Sequence, residues 1–300
     1  MALIEINNVT KDYGDGRGNF GINLTIEKGE AVGFVGTNGA GKTTLIRQMM
    51  GFLQPNSGTI KINGMDAWND SAEIKKSVGY LPGEIAFPDA PTGSIFLKRQ
   101  AELLGLKDMT YATEITKKLQ LDPTAILKRM SKGMKQKTAL VAAFMASPEI
   151  IILDEPTTGL DPLMRAEFLA LLNAEKEKGR TIFMSTHMFE EVEETCDKVV
   201  LIKDGKIVAV KSTAEIKRNQ DKEYKVEFLS AEHYHLFLSE GFALSEQYEE
   251  KNQVFVKVND KDINRFLSSL KKYHLKYISE IKYTLEHYFK RYYQEGVSHV

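Results

Sequence analysis

Two short stretches of this 300-residue chain hold residue types whose spacing suits them to a triphosphate. The first, Gly36-Thr37-Asn38-Gly39-Ala40-Gly41-Lys42-Thr43, fits G-x-x-x-x-G-K-[ST]. Its glycines let the backbone N–H groups along Gly36, Asn38, Gly39, Ala40 and Gly41 turn inward around phosphate oxygens, and the helix opening at Gly41 adds the positive end of its dipole. Lys42 then reaches the β- and γ-phosphates, Thr43 sets its hydroxyl on Mg²⁺, and Thr44 serves the α-phosphate region. The second stretch, Ile150-Ile151-Ile152-Leu153-Asp154-Glu155, is a strand-like apolar run ending in two acids. Asp154 suits Mg²⁺ held through water, and Glu155, one residue on, suits the orientation and polarisation of an attacking water.

Neither stretch decides the matter alone. Average residue usage produces the glycine pattern somewhere in a chain this long with a chance of roughly one in a hundred, before its strand and helix context is counted. Adenylate kinases and GTPases share such a loop. Two acids after a strand also serve as an N-cap pair opening a loop before Pro156, at about even odds when taken singly. The two stretches together favour hydrolysis over binding alone.

The elements that must position them are set by periodicity. Ile4 and Ile6, then Ile22, Leu24 and Ile26, alternate with polar residues as half-buried strands do, whereas 31–35 is a continuous apolar run. A helix over 42–50, a short strand ending at Asn63-Gly64, a helix near 71–76 and an extended 78–81 stopped by Pro82 come next. From 92 to 147 the pattern is helical. Strands at 150–153, 181–185 and 198–202, separated by helices opening at Pro162 and Met188, predict a largely parallel, layered sheet. Both acids then emerge at the carboxyl edge, where open α/β sheets bind ligands.

Further segments carry a resemblance. Met130-Ser131-Lys132-Gly133-Met134 resembles the Leu-Ser-Gly-Gly-Gln signature of ATP-binding cassette (ABC) ATPases, and Gly159-Leu160-Asp161 matches their D-loop. Ser185-Thr186-His187 is similar to their switch histidine, and Tyr13 to the aromatic that stacks on adenine. The order of these elements agrees with the family over about 3–219. The resemblance implies a P-loop NTPase nucleotide-binding domain of α/β class with a helical subdomain, which binds ATP with Mg²⁺ and hydrolyses it.

Physically, Ser131 and the backbone at Gly133 open a helix and make another anion site, with no second phosphate loop in the chain to pair with it. The family resolves this by head-to-tail dimerisation, each ATP lying between Lys42 of one subunit and Ser131 of the other. Lone histidines are usually packing or surface residues, but the strand-end place of His187 beside the acids favours a role in hydrolysis with Glu155. Tyr13 could equally pack, and Trp68 reads as a packing aromatic. The chain departs from the family at Lys132, at Met134 and at Gly83, where a lid glutamine is expected; Glu84 is an alternative link.

Composition bounds the rest. The chain is 42% hydrophobic and 27% charged, with 40 Lys and Arg against 41 Asp and Glu, so no basic field points to nucleic acid. Cys196, the only cysteine, cannot form an intrachain disulfide, and with no signal-like start a reducing, cytoplasmic location is expected. The most apolar stretch, 138–153, is cut by Ser147-Pro148-Glu149, short of the ~20 residues a spanning helix needs. A membrane role is therefore expected only through a partner, and the family resemblance implies that this is a permease on a separate chain, with the ATPase peripheral on the inner face of the membrane.

The expected division is a nucleotide-binding domain over 1–220, its helical subdomain at about 88–147, and a small α+β domain over 221–300. A polar linker, Lys217-Arg218-Asn219-Gln220-Asp221-Lys222, separates them. Residues 224–283 read as strand, helix, strand, strand, helix, strand, as in a ferredoxin-like or related α+β module. Leu285, Tyr288, Phe289 and Tyr292 fall at helical spacing, suited first to core packing and second to a membrane-surface or dimer role. Residues 284–289 resemble the tails of ATPases serving ABC-2-type exporters, which favours export over import. The other classes weighed are a soluble ABC-type regulator on ribosomes or DNA, for which a second nucleotide unit or a long coiled coil is missing, and a nucleotide switch with little turnover.

Overall fold

A computed structural model describes residues 2–217, 221–281, 284–286 and 289. In chain order its elements are β1 (Ala2–Asp12), β2 (Gly18–Glu27), β3 (Ala31–Val35), α1 (Lys42–Met49), β4 (Ser57–Ile62), β5 (Met65–Asp66), α2 (Ser71–Ser77), β6 (Val78–Leu81), α3 (Gly93–Leu103), α4 (Thr110–Lys118), α5 (Lys132–Phe144), β7 (Ile150–Asp154), α6 (Pro162–Glu177), β8 (Thr181–Thr186), α7 (Phe189–Thr195), β9 (Lys198–Lys203) and β10 (Lys206–Ser212). They continue as α8 (Thr213–Lys217), β11 (Asp221–Phe228), α9 (Ala231–Leu238), β12 (Ala243–Tyr248), β13 (Gln253–Asn259), α10 (Ile263–Leu270) and β14 (Leu275–Ile281). The chain divides into two compact units, 1–213 and 214–300.

The first unit holds a six-stranded sheet in the order β10-β9-β3-β8-β7-β6. Its pairs from β9 to β6 are all parallel, and β10 closes the edge antiparallel to β9. β3, β7 and β8 are buried at every residue, which is why they read as continuous apolar runs rather than alternating ones. A second sheet, β2-β1-β4-β5, is antiparallel throughout. Its alternating residues Ile4, Ile6, Ile22, Leu24, Ile26, Ile60 and Ile62 turn their apolar side chains into one core with Phe34, Ile152 and Phe183 of the parallel sheet. Leu45, Ile46 and Met49 of α1 share that core, so the helix behind the phosphate loop is held by apolar contact with both sheets. Period-2 alternation marks a half-buried strand but not its partner, so the sequence places these strands without predicting a separate sheet.

The helical stretch resolves into α3, α4 and α5. Its α4 is tied to α6 by a buried carboxylate: the Tyr111 hydroxyl donates to Glu175, which also takes the Lys178 ammonium at 2.6 Å. Burial first, and that hydrogen bond second, hold the Tyr111 hydroxyl far above its ordinary range. Cys196 is buried too, and desolvation pushes its thiol up to about 12, so it is an inert core residue. Trp68, expected to pack, keeps 42% of its surface exposed.

The second unit runs strand, helix, strand, strand, helix, strand, with sheet order β12-β13-β11-β14 and antiparallel pairing throughout. This is the ferredoxin-like arrangement. Val226, Phe228, Val254, Val256 and Val258 meet Tyr234, Phe237, Phe266 and Leu270 of its helices in a core of its own. Leu285 and Phe289 are buried. Tyr288 and Tyr292, the other members of the amphipathic pattern, and residues 218–220 of the linker lie outside the described residues.

Candidate active site

The parallel order places three strand ends side by side. β8 lies between β3 and β7, with Val35 opposite Thr186 and Ser185 opposite Asp154. The segments leaving these strands are therefore brought to one edge: the loop 36–41 after β3, Glu155 after β7 and His187 after β8. Backbone bonds fasten the junctions, Gly36 N–H to the Thr186 carbonyl at 3.4 Å and Glu155 N–H to that of Ser185 at 3.1 Å.

Lys42 opens α1 and is only 5% exposed. Its ammonium donates to the carbonyls of Gly36 at 2.7 Å and Thr37 at 3.2 Å, and it pairs with Glu155 Oε1 at 3.1 Å. A buried ammonium costs several kcal/mol to desolvate; the carboxylate and two carbonyls offset that here. An incoming phosphate must take over part of this coordination.

Gly41 caps α1 at φ 105°, a conformation that favours glycine, and a Cβ there would lie 2.5 Å from Asn19 Nδ2. Asn19 is fully buried, donates to the Gly41 carbonyl at 3.1 Å and accepts from Gln48 Nε2 at 2.9 Å. Sequence reading misses this pair, which pins the start of β2 to both ends of the loop-and-helix unit. A polar residue entering β2 just before an apolar alternation is the available signal. Thr43 and Thr44 are half-buried or better in the first turn of α1, and Asn38 and Gly39 are exposed at the loop tip.

Asp154 and Glu155 diverge, as expected of adjacent residues on a strand end. Asp154 is fully buried, and its Oδ1 accepts the Ser185 hydroxyl at 2.5 Å. Its Oδ2 is buried with no hydrogen-bond partner among the described residues. Against it lies Gly83, whose missing Cβ would stand 2.9 Å from Oδ2. An orphaned buried carboxylate oxygen beside a side-chain-free position fits a hard cation or its water ligands. Tyr80, on β6 before Gly83, has its hydroxyl pushed up to about 12 by burial and then by the charge of Asp154, so it stays neutral at physiological pH.

Glu155 has φ 51°, an unusual region for a side-chain-bearing residue that costs about 1 kcal/mol and persists where surroundings impose it. Here the Ser185 carbonyl and hydroxyl both hold its N–H. The side chain consequently bridges Lys42 and His187, whose Nδ1 lies 2.7 Å from Glu155 Oε2. The His187 ring is about half exposed, with its remaining face open to a ligand.

Tyr13 and Ser131 stand apart from this group. Tyr13 is on the β1–β2 connection, 53% exposed, its ring 5.9 Å from the Lys11 ammonium. Ser131 caps α5, its hydroxyl accepting from Met134 N–H at 3.2 Å. Gly133, in the first turn, packs so closely on the D-loop that a Cβ would meet the Gly159 carbonyl at 2.8 Å. Among the described residues, no hydrogen bond or ion pair joins Ser131 to the Lys42 side. Asp161 caps α6, accepting from Met164 N–H at 3.0 Å. Gln136 of α5, also beyond sequence reading, donates to the Pro156 carbonyl at 2.7 Å and links the Ser131 helix to the residue after Glu155.

Beside the site, a groove of about 350 Å³ is lined by Phe52, Pro82, Ile85, Phe87, Phe96 and Leu104 among others, so it joins the segment around Gly83, where the lid glutamine is expected, to α3.

A sequence profile of the family described as "ABC transporter" matches residues 20–158. The chain is 37% identical over 212 residues to the ABC transporter ATP-binding protein NatA of Bacillus subtilis (strain 168), covering 68% of this chain and 86% of NatA. It is 34% identical over 210 residues to the bacitracin transport ATP-binding protein BcrA of Bacillus licheniformis, covering 69% of each. Among solved structures, an ATP-binding subunit of an ABC transporter superposes with a TM-score of 0.66 at 30% identity, over 72% of this chain and 92% of that one.

Proposed function

The chain belongs to the ABC transporter family as one of its ATP-binding, ATP-hydrolysing subunits, and from that premise we propose how its own residues do the work. The observation that carries the reading is the chain of contacts from Lys42 through Glu155 to His187 at the carboxyl edge of the sheet.

The backbone N–H groups along Gly36–Gly41 and the start of α1 cradle the phosphates, with Thr44 at the α-phosphate and Tyr13 stacked on adenine. As the γ-phosphate arrives, Lys42 exchanges Glu155 for phosphate oxygens, and the freed carboxylate turns to a water in line with the phosphorus. His187, held at 2.7 Å from Glu155, fixes that carboxylate's direction and presents its other nitrogen to the γ-phosphate. Thr43 and Asp154 Oδ2 would hold Mg²⁺, which when bound neutralises charge developing on the phosphates. Catalysis is positioning and electrostatics, with no covalent intermediate.

The anion site at Ser131 and Gly133 supports a head-to-tail pair in which it closes on the ATP held by the Lys42 of a second copy. Full-length Glu155→Gln should self-associate with MgATP in size-exclusion chromatography. Adding Ser131→Glu should weaken that association more than tenfold, because like charges set against each other cost several kcal/mol, while leaving MgATP binding by the monomer intact. Undiminished association of the double variant rejects the arrangement.

The motor works through a permease on a separate chain at the cytoplasmic face of the membrane, in the export direction favoured by the resemblance to ABC-2-type ATPases. The groove between the lid and α3 is the docking surface we assign to it. Among the described residues no helix is long and apolar enough to cross a membrane. Leu104→Asp, just after α3, combined with Gln100→Glu within it, both lining the groove, should cut permease co-purification from membranes about tenfold or more and spare MgATP binding. Equal loss of both rejects the assignment. The domain division we propose tracks function, a nucleotide-binding motor with its helical subdomain and a C-terminal unit folded on its own core.

A further inference from the structure

One buried charge has no part in the chemistry assigned to Lys42, Glu155 and His187. Glu191, in α7, is fully buried, and a carboxylate in such a place costs several kcal/mol unless its oxygens are well met. They are met by three donors from three other segments. Oε1 accepts the Thr157 hydroxyl at 2.6 Å and pairs with Arg165 Nε at 3.1 Å. Oε2 accepts the Thr186 hydroxyl at 2.7 Å. The Thr186 oxygen in turn accepts the Met188 N–H at 3.0 Å, and the Glu191 carbonyl takes the Thr195 hydroxyl at 2.7 Å, so the acid is itself anchored in its helix.

Each donor sits next to a part of the site. Thr157 is two residues beyond Glu155, Thr186 immediately precedes His187, and Arg165 lies one turn beyond Asp161, the cap of α6. Glu155 and His187 leave the sheet from different strands, and Glu155 does so through a strained backbone. The Ser185 bonds fix the Glu155 N–H, and the Glu155 carbonyl accepts the Thr158 N–H at 3.2 Å within the same loop. The loop beyond Glu155 and the turn that carries His187 are joined a second time through the carboxylate of Glu191.

We propose that Glu191 is a positioning residue for hydrolysis: one carboxylate clamps the loop after Glu155 to the residue before His187 and so sets the distance between those two groups. It touches neither nucleotide nor water. The inference rests on the proposed roles of Glu155 and His187. Misplacement of reacting groups by about 1 Å costs on the order of a hundredfold in rate, and a loosened clamp should cost part of that.

The test uses the full-length chain and steady-state phosphate release. Glu191→Gln keeps the shape but lacks one of the two charges that hold Arg165, the other being Glu190 at 3.2 Å, and offers an amide where a second acceptor is needed. It should lower kcat about tenfold with the KM for MgATP little changed. Thr186→Val and Thr157→Val, which remove only a hydroxyl, should lower kcat in the same way, and Thr186→Ser should restore most of it. In the Glu191→Gln background Thr186→Val should add little, because both changes open one clamp. Thermal melts monitor folding, and the two valine variants carry the test if Glu191→Gln folds poorly.

Wild-type kcat in folded Glu191→Gln and Thr186→Val overturns the proposal. So do rate losses that simply track the folded fraction, or that Thr186→Ser fails to restore. Glu155→Gln measured in parallel separates the two levels. If it hydrolyses at the wild-type rate, the role of Glu155 fails; if it is inactive while the Glu191 and threonine variants are unaffected, only the clamp fails.

Discussion

Glu155→Gln should lower phosphate release by about 10²–10⁴-fold, the usual contribution of a positioned general base, and should leave MgATP binding equal or tighter. The substitution keeps the volume and the planar end of the side chain, so the contact to His187 and the left-handed backbone set by Ser185 can persist. What it removes is the negative charge and with it the ability to draw on a water proton. That same charge faces Lys42 at 3.1 Å, where a γ-phosphate must also arrive, so neutralising it relieves a repulsion in the bound state. Phosphate release and nucleotide affinity measured on one preparation check both halves. Equal release by variant and wild type ends the role of Glu155 as base and revives the reading of a nucleotide switch with little turnover.

The second large effect is at the other end of the same ion pair. Lys42→Ala should weaken MgATP on the order of a hundredfold or more, because a desolvated charge pair of this kind is worth about 2–5 kcal/mol when one partner is truncated. The fold should survive. The apolar residues of α1, Leu45, Ile46 and Met49, stay in the core, and Glu155 keeps His187 as a partner. Isothermal titration with MgATP, beside a thermal melt, reads the two separately. Undiminished affinity in a folded variant would remove the phosphate loop from the mechanism.

Much of this site is legible because its chemistry is local in sequence. The phosphate loop is eight consecutive residues, the acids are adjacent, and apolar runs at β3, β7 and β8 announce buried parallel strands whose carboxyl ends must meet. The ferredoxin-like order of the last unit is legible for a similar reason, since β11 and β13 alternate cleanly around Val226, Val254 and Val256. The features that escape depend on neighbours far apart in the chain. β1, β2 and β4 are recognisable as strands, but their union in a second sheet is a matter of pairing that alternation does not encode. β10 carries the apolar, β-branched run Ile207-Val208-Ala209-Val210, which is strand-like by itself; what its sequence does not encode is the antiparallel pairing to β9 at the sheet edge that leaves it half-exposed. Glu191 sits among Glu190, Glu193 and Glu194, and nothing in composition tells the one buried acid from its neighbours. Only Thr157, Arg165 and Thr186 identify it, and they are brought to it by the sheet.

Gly83 has a mechanical consequence. Where the family resemblance leads one to expect a long amide side chain, this chain has bare backbone resting against Asp154, and Pro82 and Ile85 on either side of it form part of the groove wall. Pro82 fixes only its own φ, and at Gly83 no side chain stands between main chain and carboxylate. If a permease docks at this groove as proposed, a displacement there has main chain rather than a long amide through which to reach Asp154, and a side chain engineered at 83 would meet that carboxylate at its first carbon.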